Sequence, residues 1–257
     1  MPTQIEKAEL FASLHVKGDP LLLFNVWDVG SSMAVAAAGA KALATGSASV
    51  AEANGFEDGE TVPLNFVLDN IRRIAEAVDV PVSLDFEGAY AVEPEAVYGN
   101  VAAVIETGTV GINFEDQVVN GDGLHPLELQ AARIQAARKA ADDADVPLFI
   151  NARTDIYLQT PPAERTSAHH SHAIERAQAF AEAGASGFFA PGLKDADDIA
   201  QLCAASPLPV NIMNLMDDTD NKQLAQLGVA RISYGPSPYR TLMGLLTGKS
   251  KSAFEND

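Results

Sequence analysis

Four short apolar runs in this chain open on proline and four others follow a glycine, in strict alternation. The proline set is Pro20-Leu21-Leu22-Leu23-Phe24, Pro81-Val82-Ser83-Leu84, Pro147-Leu148-Phe149-Ile150 and Pro209-Val210-Asn211-Ile212. The glycine set is Gly39-Ala40-Lys41-Ala42-Leu43, Gly108-Thr109-Val110-Gly111-Ile112, Gly184-Ala185-Ser186-Gly187-Phe188 and Gly228-Val229-Ala230-Arg231-Ile232. Glycine just past a helix takes the left-handed cap conformation. Proline at the first residue of a strand costs no ladder hydrogen bond. Ala-rich stretches with helical spacing, such as 126–144 and 171–183, lie between the runs. Strands alternating with helices make parallel βαβ units. Eight such units predict a single (β/α)8 TIM-type barrel domain over residues 1–257. A doubly wound open sheet is the competing arrangement, but the glycine-rich dinucleotide loop that accompanies it is missing.

A chain of 257 residues with 47% apolar composition can bury one large core. Its net charge of −18 repels phosphate backbones, which argues against nucleic acid as a partner. An anionic substrate would then need a local cation. The single cysteine, Cys203, excludes an intrachain disulfide and reads as an inward-packing residue of a helix. No apolar run is long enough to span a bilayer and the N-terminal stretch is polar, so the expected location is the cytoplasm, with no membrane partner.

In such a barrel, chemistry belongs where strands end and βα loops begin. One strand exits through Asp85-Phe86-Glu87-Gly88. Residues i and i+2 of a strand point the same way, and two carboxylates at a buried strand exit are costly to desolvate. A divalent ion with a taste for oxygen, Mg2+ or Mn2+, would offset that cost. The alternative is that Asp85 caps a helix and Glu87 is solvated. The next strand ends in Asn113-Phe114-Glu115-Asp116 and the one after in Asn151-Ala152-Arg153-Thr154-Asp155. Arg153 offers a planar, two-pronged donor for an anion, or else a structural partner for Asp155 or Glu115. A long acidic loop, residues 47–63, carries Glu52, Asp58 and Glu60, and long loops in compact domains are often functional. The adjacent histidines in His169-His170-Ser171-His172 do not converge on one ion.

Taken together, Thr45-Gly46-Ser47, Asp58, Asp85-Phe86-Glu87-Gly88, Gly111-Ile112-Asn113-Phe114-Glu115-Asp116-Gln117 and Asn151-Ala152-Arg153-Thr154-Asp155 resemble the isocitrate lyase/phosphoenolpyruvate mutase superfamily in order and spacing. Asn25-Val26-Trp27-Asp28 fits its first strand, so that the likeness spans nearly the whole chain. The resemblance implies an α/β barrel, a dimer or tetramer with the last helix swapped between subunits, and a Mg2+ ion holding a small anionic 2-oxo acid. It implies Asp85 on the metal, with Glu87 and Glu115 holding the ion through its waters. Trp27, Thr45, Gly46, Ser47 and Arg153 would contact substrate, and Asp58 would lie over the metal. Cleavage of a C–C or P–C bond would follow.

One segment departs from the pattern. Lyases of this superfamily carry a Lys-(Lys/Arg)-Cys-Gly-His loop after the fourth strand, whose cysteine is the acid–base residue. Here residues 118–126 read Val-Val-Asn-Gly-Asp-Gly-Leu-His-Pro, with Asn120 echoing an asparagine of the mutase loops. Neither the lysine nor the cysteine is present, which leaves Arg153 as the expected cation and Asp58, Arg153 and Asn120 as the catalytic candidates. Oxaloacetate-type decarboxylation needs least beyond a metal, because CO2 leaves without an acid. A phosphonate mutase or hydrolase, or a barrel that binds a 2-oxo acid without turnover, are the other readings.

Overall fold

The computed structural model describes residues 2–216 and 220–255. Helix α1 (Gln4–Ser13), capped by a reciprocal Thr3–Glu6 pair, precedes the barrel and plugs its floor. Its buried Phe11 meets the Phe149 ring edge-on at 5.5 Å, and His15 stacks on the same ring at 3.9 Å.

The strands are β1 (Leu21–Leu23), β2 (Asn25–Val26), β3 (Leu43–Thr45), β4 (Val82–Asp85), β5 (Gly111–Glu115), β6 (Phe149–Arg153), β7 (Gly187–Phe189), β8 (Val210–Met213) and β9 (Arg231–Ser233). All pair in parallel, in the order β1-β9-β8-β7-β6-β5-β4-β3-β2. The expected (β/α)8 barrel is therefore present, with its first strand broken at Phe24. The front half, β1, pairs with β9, and the back half, β2, pairs with β3. Closing a barrel forces strands to stagger, and the break is where the first strand changes partner. Asn25 spans the break. Its Nδ2 donates to the Thr45 carbonyl at 2.9 Å, and its Oδ1 accepts from the Tyr234 and Gly235 amides, each at 2.9 Å.

The helices that follow are α2 (Val29–Ala37), α3 (Ser47–Ala53), α4 (Leu64–Ala77), α5 (Pro94–Ile105), α6 (Leu127–Asp143), α7 (Ile156–Gln159), α8 (Ser167–Glu182), α9 (Ala196–Ala205), α10 (Asn221–Gln226) and α11 (Ser237–Phe254). The two helices expected from spacing are α6 and α8. The segment 47–63, read as a loop, begins instead as α3, because its Ser-Ala-Ser-Val-Ala-Glu-Ala start lacks any helix breaker. Helix α4 buries Val67, Ile71 and Ile74, an inward stripe at helical spacing. Cys203 lies in α9 with 2% of its surface exposed, and burial pushes its thiol up to about 11, so it is an inert core residue.

Helix α11 is the exception to this packing. Only Pro238 of its residues is buried, while Leu242, Leu245, Leu246 and Phe254 are exposed. Beside the broken first strand runs a groove of about 760 Å³ lined by Leu14, Leu21, Leu22, Phe24, Val35 and Tyr234 among others. Among the described residues, no helix is long and apolar enough to cross a membrane.

Candidate active site

At the mouth of the barrel a cavity of about 170 Å³ is lined by Gly46, Ser47, Asp58, Asp85, Asn113 and Arg153, with Arg240 among the other residues at its edge. These residues come from four strand ends, the loop after α3 and the first turn of α11, which the barrel brings together. No lysine, cysteine or histidine is among the described residues that line it.

Asp85 is the last residue of β4, and its carboxylate is fixed on both sides. Oδ2 accepts from the Ser47 amide at 2.9 Å and Oδ1 from Asn113 Nδ2 at 3.1 Å. Asn113 is in turn oriented by two donors on its Oδ1, Asn151 Nδ2 at 2.9 Å and Arg231 Nη2 at 3.1 Å. With its oxygen so occupied, the amide must present its NH2 to Asp85. Thr45 supports Asp85 from below, its Oγ1 accepting from the Asp85 amide at 3.0 Å.

Glu87 is not on the same strand face as Asp85. The strand ends at Asp85, and Glu87 has left-handed backbone (φ 51°), so strand parity does not govern it. Its Oε1 accepts from the Gly59 and Glu60 amides at 2.9 and 2.8 Å, and its Oε2 accepts from the Tyr90 hydroxyl at 3.2 Å. Glu87 thus pins the acidic loop that carries Asp58. Asp58 is held in turn by the Ser47 hydroxyl and the Gly59 amide. Glu115 lies buried at the end of β5, 2.9 Å from Arg153 Nη1. Both glutamates flank the cavity rather than line it.

These acids crowd one another. Burial pushes Glu87 up to about 7, with Asp85 and Asp58 adding to the shift. Burial, then Asp85, raises Asp58. Burial raises Glu115 well above the usual range, with Asp155, Asp85 and Glu87 adding, although Arg153 opposes it. A set of buried carboxylates that resists ionisation is relieved by a cation. No three His, Cys, Asp or Glu side chains among the described residues close on a single point. Mg2+ keeps most of its waters and takes one or two carboxylates, and Asp58 and Asp85 in the lining are donors of that chemistry. Each Asp85 oxygen accepts one hydrogen bond, and Asp85 lines the cavity.

Arg153 is the structural partner of Asp155 and Glu115. Nε and Nη2 grip Asp155 at 2.5 and 2.9 Å, and Nη1 reaches Glu115. Three of its five N–H groups are spent on these partners, and the side chain borders the cavity. Against the opposing effect of burial, Glu115 and Asp155 hold its pKa above the ordinary arginine value.

Gly46 and Ser47 line the cavity, but their amides are committed, to the Val26 carbonyl at 3.2 Å and to Asp85. The Ser47 hydroxyl is likewise committed, to Asp58. Trp27 lies outside the lining. Its ring meets Tyr239 of α11 edge-on at 5.1 Å, because β2 ends at Val26 and the chain turns into α2. Asn120 is exposed at the tip of a hairpin closed by a Gln117–Leu124 bridge and a Val118–Gly123 hydrogen bond, and it too is outside the lining. The histidines of α8 are dispersed: His169 caps the helix at Thr166, His170 bonds the Tyr157 hydroxyl at 3.1 Å, and His172 accepts from Arg176.

Asn113, Arg231 and Arg240 are the functional candidates that sequence reasoning missed. Alternation along β5 places Asn113 on the side of Glu115, a signal that was present. Nothing local marks the two arginines, since each reaches the site from the far end of the chain.

Comparison with known proteins shows the family and the fold. The family described as phosphoenolpyruvate phosphomutase matches residues 11–254. An uncharacterised protein of Mycobacterium tuberculosis H37Rv is 35% identical over 229 residues, covering 89% of this chain and 83% of its own. The 2-methylisocitrate lyase of Escherichia coli K12 is 29% identical over 208 residues, covering 78% and 67%. The oxaloacetate decarboxylase of Pseudomonas entomophila L48 is 25% identical, covering 71% and 62%. A crystal structure from Burkholderia cenocepacia J2315, provisionally named a phosphonomutase, superposes with a TM-score of 0.95 at 46% identity, covering 97% of this chain and 99% of that one. A phosphonopyruvate hydrolase complexed with oxalate and Mg2+ shares the fold, with a TM-score of 0.85 at 19% identity over 97% and 87% of the two chains.

Proposed function

We propose that this chain, which belongs to the phosphoenolpyruvate phosphomutase family, is a Mg2+-dependent enzyme that cleaves a bond next to a 2-oxo acid, with oxaloacetate-type decarboxylation as the leading reaction. Bound on Asp85, Mg2+ (or Mn2+) would supply electron withdrawal from the 2-oxo acid. The protein's own groups do the rest. Asn113 fixes the Asp85 carboxylate. Glu87 and Glu115, which flank the cavity, would add negative charge near the ion, and Glu87 anchors the loop that carries Asp58. Arg153 directs its remaining N–H groups to the substrate carboxylate.

The observation that carries this reading is the combination of an acid-rich, metal-fitting mouth with a lining that holds no thiol or ammonium among its described residues. Lysis of a tricarboxylate requires a proton donor placed at the leaving carbon. Loss of CO2 does not, because solvent can protonate the carbon that remains. The likeness to a phosphonomutase-like protein at 46% identity favours a second reading, cleavage of a P–C bond in a phosphonate. A screen of 2-oxo acids and their 3-phosphono analogues, with Mg2+ and with chelator, decides between them. Turnover of oxaloacetate that stops on chelation supports the first reading, and turnover of phosphonopyruvate the second. Saturable binding without any turnover would mean a binding barrel.

The assembly is part of the proposal. The apolar residues of α11 lack cover and the groove beside β1 lacks a filling helix. Exchange of α11 between two copies would satisfy both, in a dimer or a tetramer built of dimers. Light scattering of the purified protein reads this directly: a monomer at micromolar concentration contradicts it.

A further inference from the structure

Helix α8 carries an arginine on its core face. Arg176 lies on the same buried stripe as His170, Ala173, Ala177 and Phe180, with 3% of its own surface exposed. A buried charge is costly unless its N–H groups find partners. Arg176 finds three. Nη1 pairs with Asp116 Oδ2 at 2.9 Å, Nη2 donates to the His125 carbonyl at 2.8 Å, and Nε donates to His172 Nε2 at 3.2 Å. Asp116 and His125 are the two feet of the hairpin closed by the Gln117–Leu124 bridge, and the His125 amide donates to the Asp116 carbonyl at 2.7 Å. One guanidinium therefore ties both feet to α8.

Asp116 also brackets Arg153. Its amide donates to the Arg153 carbonyl at 3.1 Å, and its Oδ1 accepts from the Asp155 amide at 3.0 Å. Asp155 in turn takes Nε and Nη2 of Arg153. Two parallel bonds to one carboxylate fix the plane of a guanidinium. Where Arg153 points thus depends on where Asp155 stands, and Asp116 sets that. Neither Asp116 nor Arg176 lines the cavity.

We propose that Arg176 is a positioning residue. It holds Asp116 so that Asp155 presents Arg153 to the substrate carboxylate, and its second prong seats the hairpin. The inference rests on the proposed function, which makes Arg153 the substrate's partner. Its physical ground is the rigidity of the relay. Asp116 and Asp155 are fully buried, so water does not compete for their oxygens. Misplacing a substrate contact by about 1 Å can cost about a hundredfold in rate, and a chain of buried bonds limits such error. Arginine suits the position because a lysine's compact ammonium has no fork to span Asp116 and His125.

The test reads the two arms separately: oxalate affinity by calorimetry at saturating Mg2+, and hydrogen exchange of the Val118 and Gly121 amides, which are bonded within the hairpin. Arg176→Gln should weaken oxalate about tenfold, leave half-saturating Mg2+ within about twofold, and speed exchange in the hairpin. Arg176→Lys keeps a charge beside Asp116 and gives up the fork, so it should bring oxalate back to within about threefold of wild type while exchange stays fast. Gln159→Ala removes the bond to the Gly123 carbonyl, and should speed exchange without changing oxalate affinity. In turnover, Arg176→Gln should raise KM more than it lowers kcat. If Arg176→Gln does not fold, because Asp116 is left as an uncompensated buried charge, the uncharged double variant Asp116→Asn/Arg176→Gln takes its place with the same expected losses. A folded variant that binds oxalate as wild type does would mean that the Asp116–Arg176 pair only holds α8 in place, and would overturn the inference. Equal weakening in Gln159→Ala would overturn it too, since hairpin motion and not the Asp155 relay would then carry the effect. Failure of oxalate to bind wild type is a separate outcome that removes the proposed function and this inference together.

Discussion

The two ends of the barrel interior carry opposite electrostatic burdens. At the mouth, acids are held where they resist ionisation: burial and mutual repulsion raise Asp58, Glu87 and Glu115. Toward the floor, bases are held where they resist protonation. Burial, aided by the Arg231 charge, pulls His15 down to about 3, and burial pulls Arg231 down to about 9 against the attraction of Asp85. The two ends are joined by one side chain. Arg231 is fully buried, and its Nη2 donates to Asn113, which donates to Asp85. At the floor His15 Nδ1 donates to the Phe11 carbonyl at 2.8 Å, while His15 Nε2 and Arg231 Nε and Nη1 are buried without a hydrogen-bond partner among the described residues. Neither base lines the mouth cavity, whereas Asp58 and Asp85 do. That difference is why the carboxylates rather than the buried arginine mark the chemistry.

Asp85→Asn gives the largest expected effect, because it removes the direct ligand while keeping the shape. Mg2+-dependent turnover and oxalate binding should fall by about a hundredfold or more. The unliganded fold should persist, with a melting temperature equal to or above wild type as repulsion at the mouth is relaxed. Unchanged oxalate affinity would put the ion elsewhere.

Arg231→Met breaks the link between the two ends. Removing the cation leaves Asp85 and its neighbours without their buried counter-charge, at a cost of about 3 kcal/mol in urea denaturation at pH 8. The cost should shrink at pH 5, where the mouth acids carry protons. A loss that does not depend on pH would mean that Arg231 acts by packing alone.

Acid–base behaviour sharpens the comparison. Glu87 binds its proton more tightly folded than unfolded, so its contribution to stability is present below about pH 4.5 and is lost as pH rises through about 7. The unliganded protein should lose about 3 kcal/mol from this group over that interval, and Mg2+ should restore it. His15 has the opposite sign. Its folded pKa is depressed, so its contribution is present above about pH 6.5 and lost as pH falls toward 3. Chemical denaturation of His15→Leu should therefore flatten the acid limb of the stability profile and leave the limb between pH 4.5 and 7 unchanged.

How much of this was legible in the sequence follows from the range of the interactions. Proline-opened and glycine-preceded strands are local signals, and the barrel follows from counting them. Asp85, Asp58, Ser47 and Arg153, which line one cavity, are legible because each stands at a strand exit or on its loop. Glu87 was found for a reason that does not hold, since its backbone leaves the strand and its carboxylate turns to the 59–60 amides. Trp27 and Asn120 stand beside strand ends in sequence, but packing against Tyr239 and an outward hairpin take them from the cavity. The break at Phe24 and the reach of Arg231 and Arg240 depend on barrel closure, which joins residues more than a hundred positions apart, as in the Arg231–Asn113 pair. No local pattern encodes that.

The smallest effect is expected at Cys203. Cys203→Ser should keep turnover within about twofold of wild type and cost about 1 kcal/mol of stability, because the thiol is buried in α9 away from the mouth. A loss of turnover of about a hundredfold in a folded variant would assign it the acid that the mouth lacks.

Everything proposed for the mouth requires it to receive a divalent cation. Mg2+ binding to acids that hold protons near neutrality must release those protons. Titration of Mg2+ and oxalate into the protein at pH 6.5, in buffers of different ionisation enthalpy, measures that release. The expected result is a buffer-dependent heat corresponding to about one proton released per site, fading above pH 8 and absent in Asp85→Asn. Binding whose heat is the same in every buffer, or oxalate binding that persists unchanged in chelator, would contradict it.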